Sequence, residues 1–353
     1  MKRLRDWLAG RAEARATASL DARLAAVAAE AAAGRRTLRD EIEEWAAEGR
    51  DRTAIADGTT ALAFRDLYAE ANRWSRWAIL HAVAPGEPVV LLAAASPHRF
   101  AAFVGLSSVA VVPALLDPTL EPQGLAAAIG VLRPAHVVVD TALLALFEAA
   151  APHLAHSCAV WVHGPHPMAY RRIDEELAGL SPVRLAGRDR RPLAPDATAV
   201  LVVHADADHR PHVERLDHGR LATLAAELGS LLGATRDDRL AIVETSLSLE
   251  TLIAPTVALA FGAPCRLVAS ADEAAPLDAA FAFRPTLLLC DDRIDRADAT
   301  ALRLRLTTRP LDPADLAPGL RRRRFALRRD HDDLHLRLDE CEIRLPSPGE
   351  IRS

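Results

Sequence analysis

Lysine is almost missing from this sequence. Lys2 is the only lysine among 43 cationic residues in the 353-residue chain, and the others are all arginine. The four cysteines are far apart and form no CxxC pair, which excludes a zinc-finger pattern and a disulfide framework. No run of about 18 apolar residues occurs, and the start lacks the apolar core of a secretory signal. We therefore expect a cytoplasmic protein without a transmembrane segment.

Aromatic residues are also few, at 4% of the chain, and the formal net charge is −5. Nucleic-acid binding usually requires a basic surface with stacking aromatics, so we expect no nucleic-acid partner. Half of the residues are hydrophobic and 26% are charged, which is typical of globular proteins.

The N-terminal residues predict a helical arm over 1–50. Apolar residues recur at helical spacing within 12–34 and again within 37–50. Nearly balanced charges favour packing on the body of the protein, although a partner interface or peripheral membrane contact stays open. A different pattern begins at residue 51, so we expect the arm to be removable without unfolding the rest.

The remaining pattern predicts an α/β fold. Residues 53–64 indicate a β-hairpin around Asp57-Gly58, and continuous apolar strands then alternate with helical stripes. Such strands are typical of mainly parallel sheets flanked by helices. We divide the chain into a first α/β subdomain at 51–195, a second at 196–310 and an arginine-rich, strand-containing tail at 311–353.

Several short sequence motifs point to a family. They are Phe64-Arg65-Asp66-Leu67, Ala71-Asn72-Arg73, Pro85-Gly86-Glu87, Ser96-Pro97 with Phe100, and Pro113-Ala114-Leu115-Leu116-Asp117-Pro118. In order and spacing they resemble the beginning of an adenylate-forming (ANL) enzyme of the acyl-CoA synthetase and fatty-acid-transport branch. A weaker likeness extends to Arg284-Pro285-Thr286, so it covers about residues 51–290. The resemblance implies the fold of that family's large N-terminal domain.

The family's phosphate-binding loop has a degenerate counterpart here. In the family, a Ser/Thr/Gly-rich loop ending in Pro-Lys holds the ATP phosphates with backbone N–H groups, hydroxyls and a lysine. The corresponding stretch, 204–212, contains no glycine, serine or threonine. Its candidate residues are His204, Asp206, Asp208, His209, Arg210, Pro211 and His212. His212 stands where the resemblance would place lysine, and the two aspartates would repel a phosphate.

Two further departures concern the rest of the adenylation site. The family's aromatic-histidine motif is replaced at 244–248 by Glu-Thr-Ser-Leu-Ser. The given sequence also ends before the adenine-site motif, the ribose-binding aspartate and the C-terminal domain that the resemblance would lead us to expect. The resemblance therefore implies the scaffold without an intact adenylation site. We predict no catalytic residue and no cofactor, and the loop gives little support for binding of ATP or AMP.

The same stretch also suggests a metal. His204, Asp206, Asp208 and His209 resemble the HxHxDH motif of metallo-β-lactamase-like hydrolases, with aspartate in place of one histidine. No histidine follows between His218 and His331 to complete such a site, so we favour a solvated polar loop. An adventitious metal-binding loop stays open.

Our main hypothesis is a catalytically incompetent relative of acyl-CoA synthetases with a binding or assembly role in acyl metabolism. Its partner would be another enzyme of acyl metabolism or a second copy of the chain. The alternatives are a divergent ligase-like enzyme that binds an acyl group or a nucleotide, and a metal-dependent hydrolase that uses the loop with His204, Asp208 and His209.

Overall fold

The computed structural model describes most of the chain between residues 37 and 289 and parts of the C-terminal region. The described ranges are 37–166, 170–205, 211–232, 234–244, 249–269, 276–289, 304–307, 323–330, 333–338 and 341–345, together with residues 22, 26, 29 and 247. Within these residues, no helix is long and apolar enough to span a membrane.

The α-helices of the described residues alternate with strands over much of the chain. They are α1 (Leu38–Glu48), α2 (Phe64–Leu80), α3 (Pro97–Ser107), α4 (Pro122–Leu132), α5 (Leu144–Ala150), α6 (Ile173–Ala178), α7 (His218–Leu232), α8 (Leu249–Phe261) and α9 (Pro276–Ala282).

The strands form two sheets. The strands are β1 (Thr53–Ala56), β2 (Ala61–Ala63), β3 (Pro88–Leu92), β4 (Val112–Leu116), β5 (His136–Asp140), β6 (Ala159–His163), β7 (Arg171–Arg172), β8 (Thr198–Ala205), β9 (Pro211–Asp217), β10 (Leu240–Glu244), β11 (Cys265–Ala269), β12 (Leu287–Leu289), β13 (Leu304–Thr307), β14 (Arg323–Asp330), β15 (Asp333–Leu338) and β16 (Cys341–Leu345). The first sheet has the order β7-β6-β5-β3-β4-β8-β9 and the second sheet has the order β16-β15-β14-β13-β12-β10-β11-β1-β2.

Most neighbouring strands are parallel, and the exceptions lie toward the ends of the sheets. β9 runs antiparallel to β8 at one edge of the first sheet. β2 and the β14–β15–β16 meander are the antiparallel parts of the second sheet. The predicted α/β class with mainly parallel sheets is confirmed.

The apolar strands are buried on both faces, which gives the molecule its layers. In β3, Val89 and Leu91 pack into the main core between the sheets, whereas Val90 and Leu92 pack against α4 and α5 outside. The outer face of the second sheet packs against α9. Helices α2, α3, α7 and α8 share the main core with the inner faces of both sheets. The order is thus helix, sheet, helix, sheet, helix, as continuous apolar strands require.

Helices α2 and α3 approach each other very closely in the central layer. A Cβ atom on Gly105 would lie 2.4 Å from the carbonyl oxygen of Ala71 and 2.5 Å from Cβ of Trp74. The Ser75 hydroxyl donates to the Gly105 carbonyl at 2.7 Å. Only a residue without a side chain allows this backbone contact.

Helix α1, in the second half of the predicted arm, packs into the main core. Leu38, Ile42 and Trp45 of α1 are buried in it, and Trp45 is only 4% exposed. The Trp45 ring faces Gly262, which has a φ of +65° and leaves no room for a side chain. Removal of the whole arm would uncover this apolar surface, so we now expect the loss of α1 to destabilise the rest of the protein, contrary to the prediction from the sequence.

Each sheet contains strands from both sides of the predicted subdomain boundary at residue 195. β8 and β9 follow that boundary in sequence but pair within the first sheet, where Ala114 of β4 lies beside Leu201 of β8. Conversely, β1 pairs with β11 of the second sheet. The boundaries at 50, 195 and 310 stay predictions, but the sheets do not form from contiguous stretches of chain.

A buried histidine lies where α7 begins, near α1. His218 is 3% exposed, and its Nε2 atom has no hydrogen-bond partner among the described residues. Burial, and then the nearby cation of Arg39, lower the pKa of His218 to about 4. The imidazole is therefore neutral in the folded protein at neutral pH.

We expect Gly105→Ala to destabilise the protein by about 2 kcal/mol or more, because the added methyl group would overlap backbone atoms of α2. Urea denaturation measures the change. The matched control is Gly130→Ala in α4, where an added Cβ meets nothing within 4 Å. Alanine there should stabilise the helix by about 0.5–1 kcal/mol. Equal effects of the two substitutions would contradict the close contact of α2 and α3 at Gly105.

We also expect His218 to make stability sensitive to acid. Its folded pKa of about 4 lies below the ordinary value of 6.5, so the unfolded chain takes up the proton first. The contribution of His218 to the free energy of unfolding is complete above pH 6.5 and is lost as the pH falls towards 4. The total loss is up to about 3 kcal/mol. Unfolding free energies measured across this range should fall less steeply for His218→Gln than for the wild type. The control His153→Gln, at an exposed histidine, should keep the wild-type slope.

Candidate functional site

The counterpart of the phosphate loop is the connection between β8 and β9, at one edge of the first sheet. The strands pair from Thr198 and Asp217 to Ala205 and Pro211, so the connection is the five residues 206–210. Four of the predicted site residues, Asp206, Asp208, His209 and Arg210, lie outside the described residues. The other three are in strands: His204 is the residue before the last of β8, and Pro211 and His212 begin β9.

The two strand histidines face each other across the hairpin. His204 is opposite His212, and their ring centroids are 5.2 Å apart with an angle of 50° between the planes. Glu214 lies two residues beyond His212 on the same face of β9, with its Oε1 4.0 Å from Nε2 of His212. One potential ligand atom from each of the three side chains lies within 4.8 Å of the other two.

The set of potential ligands differs from the predicted one. His204 was a predicted metal candidate and is a member of this cluster, whereas Asp206, Asp208 and His209 lie outside the described residues. His212 was predicted only as the residue at the lysine position. Glu214 was missed, because a lone glutamate in a polar stretch gives no signal. An antiparallel strand at 211–217 would have revealed it, since His212 and Glu214 then share a face.

A buried ion pair lies where the carboxyl ends of the two sheets meet. Arg99 of α3 donates from Nη1 to Glu244 Oε1 at 2.7 Å and from Nη2 to Glu244 Oε2 at 2.6 Å. Arg99 is 8% exposed and Glu244 is 7% exposed. The planar guanidinium and the carboxylate thus form a two-pronged contact, the strong geometry for such a pair.

Arg99 also binds the first sheet. Its Nη1 donates to the carbonyl oxygen of Ala93, immediately after β3, at 3.1 Å. Glu244 is the last residue of β10 in the second sheet. One guanidinium group therefore connects the carboxyl ends of a strand from each sheet. In open α/β sheets this edge is where ligands usually bind.

Other histidines of the first sheet have structural partners. At the ends of β5 and β6, His163 Nδ1 lies 3.5 Å from Asp140 Oδ1, and the His163 ring is 4.7 Å from the ring of His98. Burial, and then His98, lower the pKa of His163, which favours the neutral ring. His136 accepts a hydrogen bond from Trp161 Nε1 at 3.2 Å. These contacts are with side chains of neighbouring strands and, for His98, of α3.

The two mainly parallel sheets with helices between and outside them define a class: a layered α/β protein. The sequence model of the AMP-binding enzyme family matches residues 42–290. The chain therefore belongs to the AMP-binding enzyme family, within the adenylate-forming superfamily. No curated protein sequence matches it significantly.

Solved structures support the same fold. VinN, in a complex with 3-methylaspartate, superposes with a TM-score of 0.67 at 16% identity over 84% of this chain and 79% of VinN. A benzoate CoA ligase from Burkholderia xenovorans gives 0.70 at 19% identity, over 84% of this chain and 61% of that ligase. A long-chain-fatty-acid-CoA ligase from Archaeoglobus fulgidus gives 0.70 at 14% identity, over 84% of this chain and 64% of that ligase. At these identities the likeness shows the fold alone.

We predict a large coupling between Arg99 and Glu244. Glu244→Met or Arg99→Met alone should lower the free energy of unfolding by about 3–5 kcal/mol, because each leaves one charge buried without its partner. The double variant should lose less than either single variant. Urea denaturation of all four proteins gives the double-mutant cycle.

The exposed ion pair of Arg65 with Asp51 is the matched control, with side chains 51% and 70% exposed. Asp51→Asn should cost no more than about 1 kcal/mol. Additive losses at Arg99 and Glu244 would show that the two charges do not depend on each other.

Proposed function

We propose that this member of the AMP-binding enzyme family does not activate carboxylic acids with ATP and keeps the ligase scaffold for binding or assembly in acyl metabolism. The observation that carries the proposal is the pairing of β8 with β9 up to Ala205 and Pro211. It leaves only five residues between the strands at the position of the family's phosphate loop.

The backbone groups near residues 206–210 give the first reason to expect that ATP does not bind there. A phosphate loop binds through consecutive N–H groups that are free of other partners and are made accessible by glycines. Here the backbone on either side of residues 206–210 is engaged in the ladder between β8 and β9. The residues 206–210 contain neither glycine nor a hydroxyl side chain.

The charge of the same segment gives the second reason to expect that ATP does not bind there. Asp206 and Asp208 bring two negative charges to a segment that would have to receive a polyphosphate. A pair of like charges about 4 Å apart costs roughly 1 kcal/mol in bulk water and more near a protein surface. Arg210 offers one cation, but a guanidinium cannot replace the missing backbone donors.

The ion pair of Arg99 and Glu244 supports the same proposal. Glu244 begins the stretch that replaces the family's aromatic-histidine motif, and its carboxylate is held by Arg99 at the carboxyl ends of the strands. Because both side chains are buried, a ligand that displaced either one would leave an unpaired charge. A fixed contact at this edge suits a scaffold better than a reaction centre.

The alternative that stays closest to this proposal is retained binding of an acyl group or a nucleotide without turnover. A ligand that binds only the folded protein raises its unfolding free energy by about 2.7 kcal/mol at a hundred times its dissociation constant. Thermal unfolding with ATP, AMP and acyl-CoA therefore separates ligand binding from assembly. Light scattering, with and without an active acyl-CoA ligase, tests self-association and partner binding.

We expect the purified full chain to give no acid-dependent pyrophosphate release or exchange with short to very long fatty acids. Adenylation brings a carboxylate to the α-phosphate while the polyphosphate is held by donors and cations. His212→Lys should not restore activity, because lysine supplies charge but no backbone donors. An active ligase assayed in parallel is the positive control. Turnover that co-purifies with the chain and disappears in Asp206→Ala or Asp208→Ala would refute the proposal.

A further inference from the structure

The hairpin of β8 and β9 brings three ligand-type side chains together on one face. His204 is directly opposite His212, and Glu214 is opposite Val202, which makes it the diagonal neighbour of His204. Such cross-strand and diagonal neighbours are within reach of long side chains. The strand register itself therefore holds the group, with each of its three ligand atoms within 4.8 Å of the others.

We propose that His204, His212 and Glu214 form a binding site for a divalent first-row transition-metal ion, with Zn²⁺ as its representative. This goes beyond the proposed function, which concerns ATP chemistry. Two imidazoles and one carboxylate are a ligand set that Zn²⁺ uses in proteins, with a fourth position left to water. Residues 206–210 are not part of the proposed ligand set.

The surroundings of the three side chains suit a cation. The His204 Nδ1 atom is buried and has no hydrogen-bond partner among the described residues. Orphan polar atoms of this kind are uncommon in proteins, and ligation would give this one a partner. The side chains of His212 and Glu214 are 55% and 12% exposed, so the cluster can be reached from solvent on the His212 side. The carboxylate supplies the negative charge.

The distances require only a small adjustment. In a tetrahedral site with bonds of about 2.0–2.1 Å, neighbouring ligand atoms lie about 3.3 Å apart. Rotation of the exposed His212 ring is the simplest way to close the gap from the present separations. Mg²⁺ and Ca²⁺ prefer shells made entirely of oxygen, so they should bind this site poorly.

The test is titration of the full chain, first freed of metal by chelation, with Zn²⁺ against a chromophoric competitor. We expect one site whose affinity falls at least about tenfold in His212→Ala, since even removing a neighbour of a metal ligand typically costs that much. Glu214→Gln should weaken binding in the same direction, and Mg²⁺ should not compete. Co²⁺ provides a second readout, because its visible absorption reports ligand geometry and should change in the same variants.

The matched control is His153→Gln, which removes an exposed histidine outside the cluster and should leave the affinity unchanged. Because His212 is exposed, its variant should fold, and an unchanged melting temperature without metal verifies this. His204→Gln is the second ligand variant. Equal affinities in wild type, His212→Ala and Glu214→Gln would overturn the proposal, as would an equal loss in His153→Gln. No ATP is present, so the outcome is independent of the adenylation assay.

Discussion

The burial of α3 between the two sheets is the constraint on which much of the site depends. All residues of this helix except His98 are buried, including the cation Arg99. A charge in that position needs a partner of opposite sign, because removing an ion from water is costly. Glu244, the last residue of β10, supplies it. At the other end of α3, Gly105 allows α2 to approach to backbone contact. The helix is thus fixed by steric fit at one end and by charge at the other.

This arrangement bears on the proposal that the chain does not carry out adenylation. A buried ion pair adds little net stability compared with an apolar pair, but it strongly opposes any rearrangement that separates the charges. The pair also lies at the sheet edge where α/β proteins usually bind ligands. The family's scaffold is therefore kept, while the crevice at its carboxyl edge is held by contacts within the chain.

Local sequence patterns predicted much of the secondary structure, but they could not predict contacts between residues that are far apart in the sequence. The alternation of continuous apolar strands with helical stripes, from which the α/β class was predicted, is present in the structure. β9 was missed because Pro211 and its polar neighbours suggested a loop, yet proline is tolerated on an edge strand. Arg99 and Glu244 are 145 residues apart, so no spacing rule could pair them.

On the two proposals made above, the hairpin of β8 and β9 favours a different kind of ligand from the one that the family's phosphate loop holds. Free N–H groups and a lysine select anions, because they present only donors and positive charge. The imidazoles of His204 and His212 and the carboxylate of Glu214 present lone pairs and negative charge, which select cations. Substitutions on a strand-turn-strand segment are enough for this inversion, since the ladder keeps the side chains in register whatever they are. If both proposals hold, the segment has exchanged an anion site for a cation site without any change of fold.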